Sequence, residues 1–174
     1  MKRYTQKEFD LFPVDKYGRK QCPSGDYTLI AKFPSCCIFD GLCIFDDLCI
    51  FGERCSFGAC CSFGACCSFG EGCTFGECCS FGECCSFGEF CSFGKQSNCE
   101  FGNFKAMYTV SGFGSVARTT YFFHMCDDSI YVRCGCFSGT IDEWENRVKK
   151  THGFNRYAQA YAMIGAAVRA ICQK

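Results

Sequence analysis

Cysteine is the residue type whose number and spacing in this chain could carry the most chemistry. The 174 residues include 21 cysteines, and a thiolate can act as a nucleophile, bind a soft metal ion or form a disulfide. Ten of them recur at every sixth position, each two residues before a phenylalanine; they are Cys37, Cys43, Cys49, Cys55, Cys61, Cys67, Cys73, Cys79, Cys85 and Cys91. This regularity predicts a packing role for the ten thiols.

The cysteines also bear on the cellular compartment. Short cysteine-rich chains are often secreted and cross-linked by disulfides. Here the cysteine count is odd, the start (MKRYTQKEFD) is polar with no apolar signal-peptide segment after it, and no apolar stretch is long enough to cross a membrane. We therefore expect a cytoplasmic protein with mostly reduced cysteines.

A second group of residues has the composition of a zinc site. His124, Cys126, Cys134 and Cys136 offer imidazole and thiolate ligands at short spacings. These spacings, H-x-C and C-x-C, differ from the CxxC knuckle. A tight turn at Asp127-Asp128 would also place the first two side chains on the opposite hairpin face from the last two. We expect core packing for this group, with zinc binding as the alternative.

The sequence offers no catalytic constellation, phosphate-binding loop or cofactor motif. Its only histidines are His124 and His152, and His152 stands next to Gly153, where helix capping is its ordinary role. We therefore expect no cofactor and no enzymatic activity.

The elements that position the repeated cysteines follow from the repeat itself. From Phe33 to Phe93 a phenylalanine occupies every sixth residue, in the unit C-[S/T/I]-F-[G/D]-x-x. Such self-similarity predicts a solenoid, whose turns bury a continuous core by stacking. In the extended C-S-F segment Cys and Phe face inward, and the following Gly or Asp tolerates the positive φ of a tight corner. The expected core ladder contains Phe57, Phe63, Phe69, Phe75, Phe81, Cys61, Cys67, Cys73, Cys79 and Cys85.

The repeat resembles that of the hexapeptide-repeat family, in which an aliphatic residue, a Gly or acid, two variable residues and a small residue recur. In F-G-E-C-C-S the Phe takes the aliphatic place and the second Cys the small one. The resemblance covers about residues 33–94 and implies a mainly β fold, a left-handed parallel β-helix with three hexads per coil. Eleven hexads then make three to four coils.

Stacking at intervals of eighteen residues assigns the outward side chains to columns. The acids are then distributed over three faces, with Glu53, Glu71 and Glu89 on one, Asp47 and Glu83 on the second, and Glu77 on the third. The same stacking places Cys60 over Cys78 and Cys66 over Cys84. These pairs are within reach of a disulfide. As thiols they would form half-exposed ladders, for which packing is favoured over redox chemistry.

The flanks of the repeat suggest three parts: an N-terminal cap (1–32), the hexapeptide-repeat β-helix (33–104) and an α+β C-terminal domain (105–174). Residues 27–31 are predicted to enter the solenoid as a strand. The first coil carries Ile38, Ile44 and Ile50 at outward positions, which predicts an apolar cover. After Phe93 the period breaks, and the motif resumes two residues late at Cys99, which marks the end of the regular repeat.

The C-terminal region has ordinary strand and helix patterns. Segments 107–110 and 118–125 are predicted strands, and 129–137 is the partner strand of a β-hairpin. A capping box at 140–143 opens a helix to about residue 151, which Gly153 ends. A second helix over 155–172 has one apolar stripe, formed by Tyr157, Tyr161, Ile164, Val168 and Ile171. We expect this stripe to dock on the hairpin, with a homo-oligomer interface as the alternative.

Charge is segregated along the chain although the net charge is zero. Residues 33–94 hold eight acids and one base, a balance of −7, and the remainder holds ten acids and seventeen bases, a balance of +7. An acidic surface repels phosphates and disfavours direct nucleic-acid binding. It suits a basic protein partner, and the expected contact residues are Glu53, Glu71, Glu89, Glu77 and Glu83. Solubility of a short solenoid is the simpler reason for the same acids.

A second resemblance lies near the C-terminus. The segments YVRCGCFSGTIDE (131–143) and VKKTHG (148–153) are similar to the ends of small phage and prophage proteins whose repeats read FGEGCSFGE. This resemblance implies a phage-type origin and, with it, action in the cytoplasm of a host cell.

Two classes of function follow from the two resemblances. Hexapeptide-repeat chains are most often acyltransferases, which use a histidine as general base between neighbouring solenoids, but this repeat contains no histidine. We therefore expect a non-enzymatic module that binds, and could inhibit, a host protein such as a defence factor. Imitation of DNA is one route, although −7 is a low charge for full mimicry. An acyltransferase-like enzyme and a structural virion component are the alternatives.

Overall fold

The computed structural model describes residues 1–94, 97–113 and 118–173. Its contacts divide the chain into two compact units, Met1–Asn103 and Phe104–Lys174. Residues 95 and 96, at the predicted break in the repeat, lie outside the described residues.

The first unit is a parallel β-solenoid of about four turns. It begins with a short helix, α1 (Gln6–Asp10), and two strands, β1 (Lys20–Cys22) and β2 (Lys32–Phe33). The repeat then supplies ten strands, β3 to β12: Cys37–Phe39, Ile44–Phe45, Ile50–Phe51, Ser56–Phe57, Ser62–Phe63, Ser68–Phe69, Thr74–Phe75, Ser80–Phe81, Ser86–Phe87 and Ser92–Phe93. Strand β13 (Ser97–Cys99) follows.

These strands form three parallel sheets around one interior. The sheets run β1-β3-β6-β9-β12, β4-β7-β10-β13 and β2-β5-β8-β11. Within the repeat, residues opposite each other are eighteen apart, as Ile44 is from Ser62 and Ser62 from Ser80. One turn therefore contains three hexads. The mainly β solenoid expected from the sequence is confirmed.

Three ladders of phenylalanine rings fill the interior. Rings eighteen residues apart lie face to face, with centroids 4.7 to 5.2 Å apart and interplanar angles of 2 to 11°. Rings of neighbouring ladders meet edge to face, as Phe57 and Phe63 do at 4.9 Å and 90°. The edge-to-face geometry is favourable for the ring quadrupole, and the parallel rings of each ladder stay in apolar contact from turn to turn. The ladders contain Phe33, Phe51, Phe69 and Phe87; Phe39, Phe57, Phe75 and Phe93; and Phe45, Phe63 and Phe81.

The N-terminal residues extend one ladder with tyrosines. Tyr27 stacks on Phe45 at 5.4 Å, and Tyr4 stacks on Tyr27 at 5.1 Å. Residues 27–31 do not form the predicted strand. The carboxylate of Asp26 accepts hydrogen bonds from the amide and the hydroxyl of Thr28, which turns the chain there.

The corners also differ from the prediction. The recurring Gly or Asp does not have the positive φ. The residue two positions later does, with φ of 55 to 68° at ten corners: Cys36, Leu42, Leu48, Arg54, Cys60, Cys66, Gly72, Cys78, Cys84 and Phe90. The glycines are required by space instead. A Cβ at Gly76 would lie 2.6 Å from the backbone nitrogen of Ala59, one turn earlier.

The end of the repeat keeps its register. Asn98 lies opposite Ser80, eighteen residues earlier, so Ser97 takes the place of the inward cysteine and Cys99 the place of the phenylalanine. Ser97 is fully buried, and its hydroxyl donates to the Gly94 carbonyl at 2.9 Å. The prediction that the motif resumes two residues late at Cys99 is therefore wrong.

The second unit contains an antiparallel sheet and two helices. The strands are β14 (Gly102–Phe113), β15 (Arg118–Met125), β16 (Ile130–Cys134) and β17 (Phe137–Thr140), paired in that order. The single strand predicted over 129–137 is two strands, because the chain turns at Gly135, whose φ is 63°. A simple hairpin is thus replaced by four antiparallel strands.

The two helices cover this sheet through one cluster. Helix α2 (Ile141–His152) has the predicted capping box, in which Thr140 and Glu143 bond reciprocally, and α3 (Arg156–Cys172) has Asn155 as its N-cap. The cluster contains Phe122, Ile130, Val132, Ile141, Trp144, Tyr161, Val168 and Cys172. The stripe of α3 therefore docks on the sheet as predicted. Ile171 is an exception, since it is 51% exposed and Cys172 is buried in its place.

Candidate functional site

The five glutamates expected to bind a partner are all exposed. Each follows a corner glycine, and its backbone carbonyl accepts a hydrogen bond from the amide of the preceding turn. Cys36 donates to Glu53 at 2.9 Å, and Arg54 donates to Glu71 at 2.8 Å. The structure thus fixes the backbone from which each carboxylate projects.

Three of these glutamates form one continuous column, which we call the acidic column: Glu53, Glu71 and Glu89. Stacked rings in the same turns are 4.7 to 5.2 Å apart, so consecutive members of the column project from backbones about 5 Å apart. Like charges in register on neighbouring strands repel each other. Within the described part of the chain, none of the three makes an ion pair. Even Arg54, exposed beside Glu53, does not pair with it.

The other two faces carry more dispersed charge. On one, Asp47 and Glu83 are separated by Ala65, and the Asp47 carboxylate accepts a hydrogen bond from the Ala65 amide at 2.6 Å. On the other, Glu77 follows Ala59 one turn earlier. The predicted columns are therefore present as stacks, but only the acidic column brings three carboxylates together.

The predicted apolar cover over the first repeated coil is wrong for two of its three isoleucines. Ile44 and Ile50 are exposed, and Ile38 is half-buried. Leu42 and Leu48 at the neighbouring corners are also exposed.

The inward cysteines have a hydrogen-bonding role that the sequence did not suggest. From Cys55 to Cys91, each inward thiol donates to the backbone carbonyl 21 residues earlier, at a corner of the preceding turn. The Cys61 thiol donates to the Asp40 carbonyl at 3.5 Å and the Cys79 thiol to the Gly58 carbonyl at 3.4 Å. A buried carbonyl without a donor is costly. The neighbouring thiol of Cys43 raises the pKa of Cys61 to about 12. This thiol is therefore protonated at neutral pH and is a poor nucleophile.

The residues weighed as a zinc site are not brought together. His124 lies opposite Ile130 near the turn, where its Nε2 is 3.2 Å from Asp128 Oδ1, whereas Cys134 lies at the far end of the strand pair, opposite Thr120. Cys134 accepts a hydrogen bond from the Thr120 hydroxyl at 3.1 Å. Cys126 and Cys136 are exposed in two different turns. Among the described residues, no group of three metal-ligating side chains is found.

A cavity of about 300 Å³ lies between α2 and α3. Trp144, Tyr161 and Ala162 supply its apolar wall, and Arg169 also lines it. The guanidinium already bonds the carboxylates of Asp142 at 2.6 Å and Glu145 at 3.3 Å. Its charge is compensated within the unit. The other charged lining residues are Glu145, which is bonded to Arg169, and Lys149. Sequence reasoning did not predict this space, which depends on how two helices cross.

Two pairs of cysteines face outward at the corners. All 21 cysteines are present as thiols, and Cys60, Cys66, Cys78 and Cys84 are exposed. Cys60 contacts Cys78, and Cys66 contacts Cys84, as the eighteen-residue spacing predicts.

Comparison with known protein families, characterised proteins and solved structures finds no match to this chain. In the part of the chain that the structure describes, no helix has the length and apolar character needed to cross a membrane.

Proposed function

We propose that this chain is a non-enzymatic protein-binding module of phage type, which binds a basic surface of a host protein through the acidic column. The observation that carries the proposal is the column itself: three exposed carboxylates in register, none of which makes an ion pair among the described residues. The column lowers the stability of the solenoid through repulsion. A bound basic surface would remove that repulsion and gain charge-assisted contacts.

The rigidity of the scaffold supports the same function. Each glutamate of the column follows a corner glycine that packs against the turn below, as Gly70 does against Glu53. The carboxylates therefore project from backbone positions that need little ordering on binding, which lowers the entropic cost of association.

The two resemblances supply the origin and the wider family. We assign the repeat to the hexapeptide-repeat type, with a left-handed helix, and the C-terminal segments to the phage and prophage proteins they resemble. The absence of histidine from the repeat favours binding over acyl transfer. A basic host protein, such as a nucleic-acid-binding defence factor, is the partner class that fits an acidic surface.

Charge reversal on different faces tests the proposal. The tagged chain is used to capture partners from bacterial lysate, in parallel with two double variants. One carries Glu71→Lys and Glu89→Lys in the acidic column, and the other carries Glu77→Lys and Glu83→Lys on the other two faces. The net charge changes by the same amount in both, so a difference between them reports position.

We expect the unchanged chain to capture one basic protein in stoichiometric amount. The variant with two reversed charges in the acidic column should lose this protein, and the variant with two reversed charges on the other faces should retain it. Binding should also weaken steeply as salt rises. Equal retention by all three chains, or equal loss from both variants, would contradict the assignment of the column as the contact surface.

A further inference from the structure

The two exposed cysteine pairs have a geometry set by the stacking of the turns. Cys60 and Cys78 precede Phe63 and Phe81 by three residues, and those rings are 5.1 Å apart and 4° from parallel. Cys66 and Cys84 stand in the same relation to Phe69 and Phe87, which are 5.2 Å apart and 6° from parallel. All four cysteines have φ of 58 to 59°. The Cα–Cβ bonds within each pair are therefore nearly parallel and about 5 Å apart.

The Cα spacing lies within the range of a disulfide, as the sequence predicts, but the Cβ spacing is too wide for one and suits a bridging metal ion better. A disulfide holds its Cβ atoms about 3.8 Å apart, so closing one would pull two close-packed turns together by roughly 1 Å against the stacked rings. A metal–thiolate bond is about 2.3 Å long. Two thiolate sulfurs on opposite sides of one ion are therefore about 4.6 Å apart. Two cysteine side chains in the same rotamer, on backbones about 5 Å apart, reach this sulfur–sulfur distance with little adjustment.

The donor set selects the kind of ion. Each site offers two thiols, and no third metal-ligating side chain joins them among the described residues. Zinc requires four ligands, whereas soft monovalent ions accept two thiolates in a line and prefer sulfur to oxygen. The carboxylate of Glu77 near Cys78 and that of Asp47 near Cys66 add negative charge to the two sites.

We propose that Cys60 with Cys78, and Cys66 with Cys84, form two separate binding sites for a soft monovalent metal ion of the Cu⁺ and Ag⁺ class. Each ion replaces two thiol protons and forms two metal–sulfur bonds, and no electron is transferred. The site is then an anionic bis-thiolate that bridges two neighbouring turns. This proposal does not depend on the proposed partner binding, because it involves different residues.

Silver is the probe, because Ag⁺ is stable in air. The full chain is titrated with Ag⁺ in the presence of a competing monothiol in excess, and bound ions are counted by native mass spectrometry. We expect two ions for the unchanged chain, one for Cys60→Ser or Cys78→Ser, and none for the double variant Cys60→Ser with Cys66→Ser. The matched control, Cys126→Ser with Cys136→Ser, also removes two exposed thiols and should keep both ions.

Protection from alkylation gives a second readout that does not require a variant to fold. Bound Ag⁺ should protect Cys60, Cys66, Cys78 and Cys84 from iodoacetamide and leave Cys126 and Cys136 reactive. The affinity should rise with pH, because binding releases two protons at each site. No tightly bound ion in the unchanged chain, two ions in the double variant, or equal protection of Cys126 would overturn the proposal.

Discussion

The two units of this chain are stabilised in different ways. In the solenoid one small set of contacts recurs along most of the repeat: a stacked ring, a thiol that donates to a carbonyl, and a glycine against the turn below. In the C-terminal unit a single cluster around Trp144 and Phe122 joins the sheet to two helices, and no contact in it is repeated. Because the contacts of the solenoid are periodic, the same substitution at equivalent positions of different turns should change the free energy of unfolding by similar amounts. In the cluster, the change should differ from one position to the next.

The largest loss of folding stability is expected from substitutions at the corner glycines. Gly76→Ala would place a Cβ 2.6 Å from the Ala59 nitrogen, so the turns must separate, at a cost of about 3 kcal/mol or more. Gly72→Ala is the control within the solenoid. Its Cβ would meet nothing closer than 3.6 Å, and Cys60 already adopts the same positive φ at an equivalent corner.

Urea unfolding followed by circular dichroism measures both costs. Gly72→Ala should cost about 1–2 kcal/mol, and so should Gly112→Ala in the C-terminal unit, where φ is 69° and no atom lies within 4 Å. Equal costs at Gly76 and Gly72 would show that close stacking does not explain the recurring glycine.

Removal of a phenylalanine ring is expected to cause the second-largest loss of folding stability. Phe63 stacks on Phe45 and Phe81 and meets four further rings edge to face. Phe63→Leu therefore loses four favourable edge-to-face contacts as well as the ring contacts within its ladder. Phe122→Leu removes an equally buried ring that meets Trp144 edge to face. We expect the free energy of unfolding to fall further for Phe63→Leu, by about 1 kcal/mol or more. The reverse order would contradict the importance of the ladders.

Thiol replacement separates packing from hydrogen bonding. Cys79→Ala leaves the Gly58 carbonyl without its donor, which adds about 1 kcal/mol to the packing loss, and Cys79→Ser restores a donor. Cys172 is buried in the apolar cluster of the C-terminal unit. The alanine variant should therefore be less stable than the serine variant at position 79, and the order should be reversed at position 172. Thermal unfolding of the four variants measures this. The same order at both positions would show that the thiol–carbonyl bond contributes little.

Acid should destabilise the first turn of the solenoid within a defined pH range. Hydrogen bonds from Thr28, together with Arg3, lower the pKa of Asp26 to about 2, below the value of about 3.9 for an unfolded chain. The stabilisation is complete above about pH 4 and is lost as the pH falls toward 2. Asp26→Asn should therefore flatten the decrease in Tm between pH 4 and 2. An unchanged pH profile in this variant would contradict the assigned role.

The smallest change in stability is expected from neutralising a glutamate of the acidic column. Glu71 lies between Glu53 and Glu89 in its column, whereas Glu77 follows Ala59. Glu71→Gln should raise Tm by about 1–2 °C at low salt and Glu77→Gln by less, because only the first relieves repulsion on both sides. The difference should disappear in high salt. A decrease in Tm for Glu71→Gln would mean that the column is not repulsive in the free protein.

The repeat allowed the sequence to predict the solenoid in detail, because one six-residue pattern repeated eleven times leaves little freedom in register. The acidic column and the cysteine pairs followed from the same spacing. The corner assignment was wrong because sequence alone does not distinguish a glycine required by φ from one required by a close neighbour. The end of the repeat was misread because Ser97 and Cys99 keep the register of Cys79 and Phe81 without keeping the residue types.

By itself, the sequence determined the period, the inward and outward faces, the helix caps and the docking stripe, since each depends on contacts that are local or repeated along the chain. The tertiary structure alone decided which corner residue has positive φ and that Tyr27 and Tyr4 continue a phenylalanine ladder. It also decided that His124 and Cys134 lie apart. These features depend on distances between residues that no local pattern relates, and only the packed chain fixes such distances.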